Sequence, residues 1–144
     1  MPAQTATIST APETKGFGCN WSTPVNTKEL QKQGDIVAVC NELHAGKRYS
    51  ISYEILAAAG SRIERGRDQI AFRVIAPGID EEVVDRFDPV ERKALGIASA
   101  IRTRAEVPSD GIVPITIRSL RCMNASLEPF DCQLDVSVKI SANR

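Results

Sequence analysis

A chain of 144 residues with 42% hydrophobic and 25% charged residues has the makeup of one globular domain. It is long enough to bury about two-thirds of the surface its unfolded form exposes, so its core does not depend on cross-links. Eight prolines and nine glycines are too few for a collagen-like or disordered chain, and eighteen basic residues against eighteen acidic ones leave no net field to hold nucleic acid or an anionic membrane.

Residues 1–16, MPAQTATISTAPETKG, contain one large apolar residue, Ile8. Such a segment cannot repay its own ordering entropy, so a flexible N-terminal arm is expected over 1–16 and a single globular domain over 17–144. The arm also lacks a basic region followed by an apolar one, which reads as no secretory signal and favours a cytoplasmic or virion location. GFGCNWSTPVNT, residues 16–27, reads as a loop or short edge strand pinned by Trp21. KELQKQ, residues 28–33, is too short and polar to count as a helix.

From Asp35 the pattern takes the two-residue period of strands. DIVAVCNEL (35–43) is apolar in the middle, as a strand covered on both faces would be. RYSISYEIL (48–56) alternates Tyr49, Ile51, Tyr53 and Ile55 with Arg48, Ser50, Ser52 and Glu54, and QIAFRVIA (69–76) places Ile70, Phe72 and Val74 on one face. The acidic run IDEEVVD (79–85) reads as a short turn of helix. Asp88, Pro89 and Glu91 then resemble a helix start, and Val90, Ala94, Ile97, Ala98, Ile101 and Ala105 recur at spacings of three and four. An amphipathic helix is therefore expected over about 89–105, packed on a sheet.

IVPITIRSLRC (112–122) and CQLDVSVKI (132–140) read as the final two strands, joined in a hairpin. Facing cysteines at 122 and 132 would put Ile115 and Ile117 on the wrong side of Val136 and Val138, so a β-bulge is expected near Arg118 or Ser119. Pro114 places its strand at an edge or turns its N–H side away from a neighbour. The fold class expected is thus α+β, a mainly antiparallel sheet of five to six strands with one helix on it.

The chemistry is sparse. There is one histidine, His44, in an expected turn, and no glycine-rich phosphate loop, nucleophile elbow, HExxH or CxxC motif. The acidic cluster of Asp80, Glu81, Glu82, Asp85 and Asp88 has valines where calcium ligands would be needed. Arg62, Arg65 and Arg67, with Lys47 and Arg48 beyond the preceding strand, form a basic set interleaved with Glu64 and Asp68, too mixed in sign and too poor in aromatics for nucleic acid. No apolar run approaches the roughly 18 residues of a spanning helix, so no membrane insertion is expected. No catalytic residue, cofactor or metal is expected, and no motif names a family.

Cys19, Cys40, Cys122 and Cys132 remain. Cys40 and His44 have a ligand-like spacing, but the other cysteines are isolated, which disfavours zinc. Cys19 with Cys40 and Cys122 with Cys132 is the connectivity that joins neighbours in the expected strand order, one of three arrangements; reduced core thiols are the competing state. Disulfides would imply an extracellular location, where the sequons at Asn20 and Asn124 would also have meaning. Trp21, Arg62, Arg65, Arg67, Met123, Leu127 and Phe130 are the candidate interaction residues. The first reading of function is a non-enzymatic structural or assembly subunit, self-associating or docking on other protein subunits, of which a virion or particle component is one kind. The alternative is a secreted or periplasmic recognition module that binds a ligand or receptor through residues 57–68 and 123–131.

Overall fold

The structure, a computed structural model, describes residues 6–10, 12–14, 18–33 and 35–142. In chain order the elements are β1 (Ala6–Thr10), β2 (Pro12–Thr14), β3 (Gly18–Asn26), α1 (Thr27–Gln33), β4 (Ile36–Cys40), β5 (Arg48–Ala57) and β6 (Gln69–Ala76). They continue with β7 (Ile79–Arg86), β8 (Asp88–Pro89), β9 (Leu95–Glu106), β10 (Val113–Met123), β11 (Pro129–Phe130) and β12 (Gln133–Ala142). One sheet has the order β1-β4-β10-β6-β7 with β11 on β10, and the other has β2-β3-β12-β5-β9-β8. The ladders are antiparallel except the parallel pair β1–β4.

Alternation decides which face of each strand is covered. On β12, Leu134, Val136, Val138 and Ile140 are buried while Asp135 and Lys139 point outward, and the adjacent β5 buries Tyr49, Ile51, Tyr53 and Ile55. Ile70, Phe72 and Val74 of β6 and Ile115 and Ile117 of β10 meet them from the other sheet in one apolar core. The rings of Tyr53 and Phe72 cross between the sheets edge to face, 5.4 Å apart. The molecule is therefore a two-sheet sandwich, mostly antiparallel and nearly without helix.

The helix expected over 89–105 does not form. Asp88–Pro89 is strand β8, a turn follows with Lys93 N–H donating to Val90 O at 2.8 Å, and β9 then lies along β5 with Ile97 opposite Ile55 and Ile101 opposite Ile51. The physical reason is that a spacing of four is even, so it returns to the same face in a strand as well as in a helix. Ile97 and Ile101 fit both periods, and burial against a ready-made neighbouring strand selects the extended form. The acidic run 79–85 is likewise strand β7, hairpinned to β6 through Pro77 and Gly78, where Gly78 has φ 76°. The one helix among the described residues is α1, over the polar stretch read as too short; Asn26 caps it, accepting a hydrogen bond from Lys28 N–H at 3.0 Å.

The expected C-terminal hairpin is also absent, because β10 and β12 lie in different sheets. The bulge is present, but on the ladder from β10 to β6: Arg118 faces Arg73 and Arg121 faces Ala71, with Ser119 at φ 57° in between. β10 is an interior strand; the β6 ladder begins at Thr116, so no β6 residue stands opposite Pro114. Within the segment expected as a flexible arm, Ala6–Thr10 and Pro12–Thr14 are edge strands of the two sheets, paired with β4 and β3.

Candidate functional site

The four cysteines make two bonds, Cys19–Cys40 and Cys122–Cys132, with Cα separations of 5.9 and 6.3 Å. Each joins one sheet to the other, rather than neighbours within a sheet: β3 to β4 in the first case, β10 to the residue just before β12 in the second. The second bond sits at the end of the sandwich where the chain turns at 26–28, 58–68, 87–94 and 124–132. This end holds most of the irregular backbone, and it is unusually well tied.

Thr27 is buried, and it clasps Cys132 from two sides. Its N–H donates to Cys132 O at 3.0 Å, and its hydroxyl accepts from Cys132 N–H at 3.0 Å. Ser61 does the same for Gln133, donating to its carbonyl at 2.6 Å and accepting from its N–H at 3.1 Å, while Ala58 N–H adds a bond to the same carbonyl. Loop 64–68 is built around Asp68, whose side chain is 1% exposed: it accepts from Glu64 N–H at 2.8 Å and from Arg67 Nε at 3.0 Å. Asp68 O and Phe87 O take the N–H groups of Phe87 and Gly66, which fixes this loop to the β7–β8 connection. A buried carboxylate is tolerated here because every lobe is paired.

The loop RCMNASLEPFDC is organised by Asn124, whose amide oxygen accepts from Ser126 N–H at 2.9 Å and Glu128 N–H at 3.0 Å. The turn leaves Leu127 at φ 61° and 64% exposed, the most exposed large apolar side chain among the described residues. Bulky residues rarely occupy that region, so the turn's own hydrogen bonds hold it there. Phe130 folds back in β11, half-buried against the core, and Met123 pairs with Pro129.

Between these loops lies a pocket of about 280 Å³ whose lining includes Asn26, Lys28, Ser61, Arg62, Asp131 and Gln133. A shallower groove of about 670 Å³ runs over the outer face of the second sheet, where Ser52, Ala98, Ser137 and Lys139 form the floor and an ion pair between Lys93 and Glu54 stands at 3.0 Å. The Glu54 carboxylate raises the Lys93 pKa. On the outer face of the first sheet, the Arg73 guanidinium holds the Asp80 carboxyl below its ordinary range, and Arg118 pairs with Asp35 at 3.0 Å.

The structure sorts the candidate interaction residues. Arg62 and Leu127 belong to this end and reach solvent, and Arg65 is exposed beside Asp88 at 3.8 Å. Arg67 is engaged with Asp68 and Glu64, so it holds the loop rather than offering a free charge. Lys47 and Arg48 lie at the opposite end of the ten-residue β5, about 30 Å away, and do not join the basic set. His44 is exposed at that far end as well. Trp21, expected to serve interactions, is 6% exposed on the inner face of β3, where Val138 and the rest of the core claim its ring; its indole N–H is buried without a hydrogen-bond partner. Of the acidic cluster, Asp80, Glu81, Glu82 and Asp85 spread along β7, and among the described residues no three His, Cys, Asp or Glu side chains are grouped to hold a metal ion.

Sequence reasoning missed Lys28, Asn26 and Asp131. The signals were present in the cap-like Asn26-Thr27 before a lysine and in the placement of Asp131 next to Cys132, but only the β3–β12 ladder, with Asn26 opposite Gln133, brings 26–28 beside 131–133.

The chain is thus a disulfide-stapled β-sandwich with a polar pocket among the loops at one end. No family model matches the chain, and no curated protein does. Among solved structures, the pre-peptidase C-terminal domain of collagenase from Bacillus anthracis is similar at 8% identity over 96% of this chain and 97% of that one, with a TM-score of 0.34. The crystal structure of FLHE is similar at 8% identity over 85% and 96%, with a TM-score of 0.32. Likenesses this distant carry no argument about function.

Proposed function

We propose that the protein is a non-enzymatic recognition module of an oxidising compartment, binding its target through the loops 57–68 and 123–131. The observation that carries this reading is the pair of inter-sheet disulfides, one of which anchors the loop end. Such bonds persist in secreted, periplasmic or surface settings and are reduced in the cytosol. A rigid sandwich that presents tied loops at one end is a common way to build a binding surface, because the ordering cost is met in folding rather than in binding. The test is thiol accounting on protein recovered from its native source. No cysteine should take up an alkylating reagent until a reductant is added, and four reactive thiols in the native protein would overturn the reading.

A second reading, self-association as a structural or particle subunit, draws support from β7, an eight-residue strand that among the described residues is laddered on one side only, to β6. Mass photometry of native material separates the two: a monomer at working concentration supports the recognition module, and a defined oligomer or particle supports the subunit.

A further inference from the structure

Lys28, Arg62 and Asp131 line one pocket, yet none of the three forms an ion pair with either of the others or with any other described residue. By contrast Arg73, Arg118, Arg67 and Lys93 each have a carboxylate at 3.0 Å or closer, whereas here a carboxylate and two cations share one pocket without pairing. Two cations and one anion that share a concave space without meeting leave room for a third body to bridge them.

The walls of that space are fixed by backbone. Ser61 and Ala58 bind the 58–61 turn to Gln133, Thr27 binds the start of α1 to Cys132, and the Cys122–Cys132 bond holds the residue after Asp131. Only the tips of Lys28 and Arg62 remain to be ordered by a ligand, which lowers the entropic cost of binding. The Asn26 amide oxygen is already occupied by Lys28 N–H, so what this side chain offers the pocket is its NH₂ group. The lining therefore carries donors on both flanks, Asn26 and Lys28 at the end of β3 and Arg62 beyond the end of β5, with the Asp131 carboxylate between them at the start of β12.

We propose that this pocket takes a small dipolar ligand carrying a carboxylate and an ammonium group. The carboxylate sits on Arg62, and the ammonium sits on the adjacent Asp131, with Lys28 and Asn26 closing the far flank. At about 280 Å³ the space is at the small end for ligand sites, which suits a free amino acid or a short peptide and excludes drug-sized molecules. Arg62 is suited to the carboxylate because its planar fork binds two oxygens at once. The inference rests on the reading of these loops as the recognition end and names what that end takes.

The test is an NMR titration of the oxidised full chain with alanine, alanylalanine, acetate and ethylammonium, following backbone amides. The expected result is shift changes at residues 26–28, 60–62 and 131–133, with a dipolar ligand bound about tenfold or more tighter than acetate or ethylammonium, since a second charge-assisted contact is worth that much. Preference for alanine over alanylalanine names a free amino acid as the ligand, and the reverse order names a peptide. Asp131→Asn should reduce the dipolar ligand to the affinity of acetate, whereas Arg62→Gln should weaken both carboxylates; each side chain is exposed, so the fold survives both changes. Acetate binding as tightly as the dipolar ligands, shifts mapping to other residues, or no saturable shift would each overturn the proposal. Failure of the recognition reading shows separately, as reactive thiols in the alkylation assay, because the titration uses protein already oxidised.

Discussion

Removing the two disulfides one at a time separates stability from binding. Cys19–Cys40 closes 21 residues and Cys122–Cys132 closes 10, which on the chain-entropy model gives about 3.3 and about 2.7 kcal/mol respectively. A domain of 144 residues has an unfolding entropy of about 0.3 kcal/mol per kelvin near its midpoint, so the paired Cys→Ala variants should lower Tm by about 11 and about 9 °C. The first variant is thus expected to be the less stable of the two. Binding at the loop end should follow the other order. Cys122→Ala with Cys132→Ala unties from β10 the residue before β12 that Thr27 clasps, while Cys19→Ala with Cys40→Ala disturbs the far end of β3 and of β4. Calorimetry gives the Tm values, and the amide titration gives the affinities. If affinity falls in proportion to Tm in both variants, or if the 19–40 variant loses binding first, the argument that the 122–132 bond shapes the pocket is wrong.

Three further outcomes follow from particular contacts. Tyr49 is fully buried and donates its hydroxyl hydrogen bond to Pro77 O, and burial pushes its pKa from 10.0 up to about 12. Folding therefore favours the neutral phenol: this stabilisation is complete below pH 10, falls as pH rises and is gone above about 12, a total of about 2–3 kcal/mol. Denaturant midpoints across that range should fall less steeply in Tyr49→Phe, and an unchanged slope would refute the assignment. Asn124→Ala should cost about 1–2 kcal/mol and speed hydrogen exchange at the Ser126 and Glu128 amides, which lose their acceptor; exchange equal to that of the parent protein would mean the turn stands without this side chain. Gly96→Ala should be far more damaging than Gly60→Ala. A Cβ at 96 would strike Ile55 O and the backbone of Leu56, whereas at 60 it meets open space and costs only the strain of φ 88°, about 1 kcal/mol; equal Tm losses would contradict the close β5–β9 approach.

Alternation made the strands legible wherever one face was wet. Leu134 to Ile140 and Tyr49 to Ile55 take in the structure the faces their pattern predicts, because a period of two has one physical meaning once polar residues mark the other face. The same logic failed over 89–105, where Ala98 and Ala100 carry little signal and Ile97 and Ile101 satisfy both periods. Alternation also says nothing about which strand lies beside which. A strand's inner face is the same whether its neighbour is in its own sheet or the two belong to opposite sheets, so the ten-residue connection from Cys122 to Cys132 was read as a hairpin when it is a crossing. The candidate site inherited that ambiguity: Arg62 and Leu127 are legible as loop residues, but Lys28 and Asp131 come together only because β12 lies beside β3, a neighbour that alternation does not name.

The crossing also explains why one bulge and one disulfide lie so close together. Ser119, at φ 57°, inserts an extra residue into β10, and this resets its side-chain parity so that Leu120 and Cys122 face inward after Arg118 has faced out. Without that reset Cys122 would point to solvent, and no bond could reach Cys132 on the other sheet. The bond in turn ties to β10 the end of β12 that the β3–β12 ladder already sets against Thr27, and so braces Asp131 beside the pocket that Lys28 lines. Local backbone strain at one exposed serine is therefore coupled to the geometry of the pocket more than ten residues away. Deleting Ser119 should remove the staple while leaving β12 paired with β5 and β3: two cysteines would become alkylatable without reductant, and the dipolar ligand would bind more weakly, with smaller shifts at 131–133 at a given concentration. A deletion variant that keeps all four cysteines protected would show that the parity of β10 is set elsewhere.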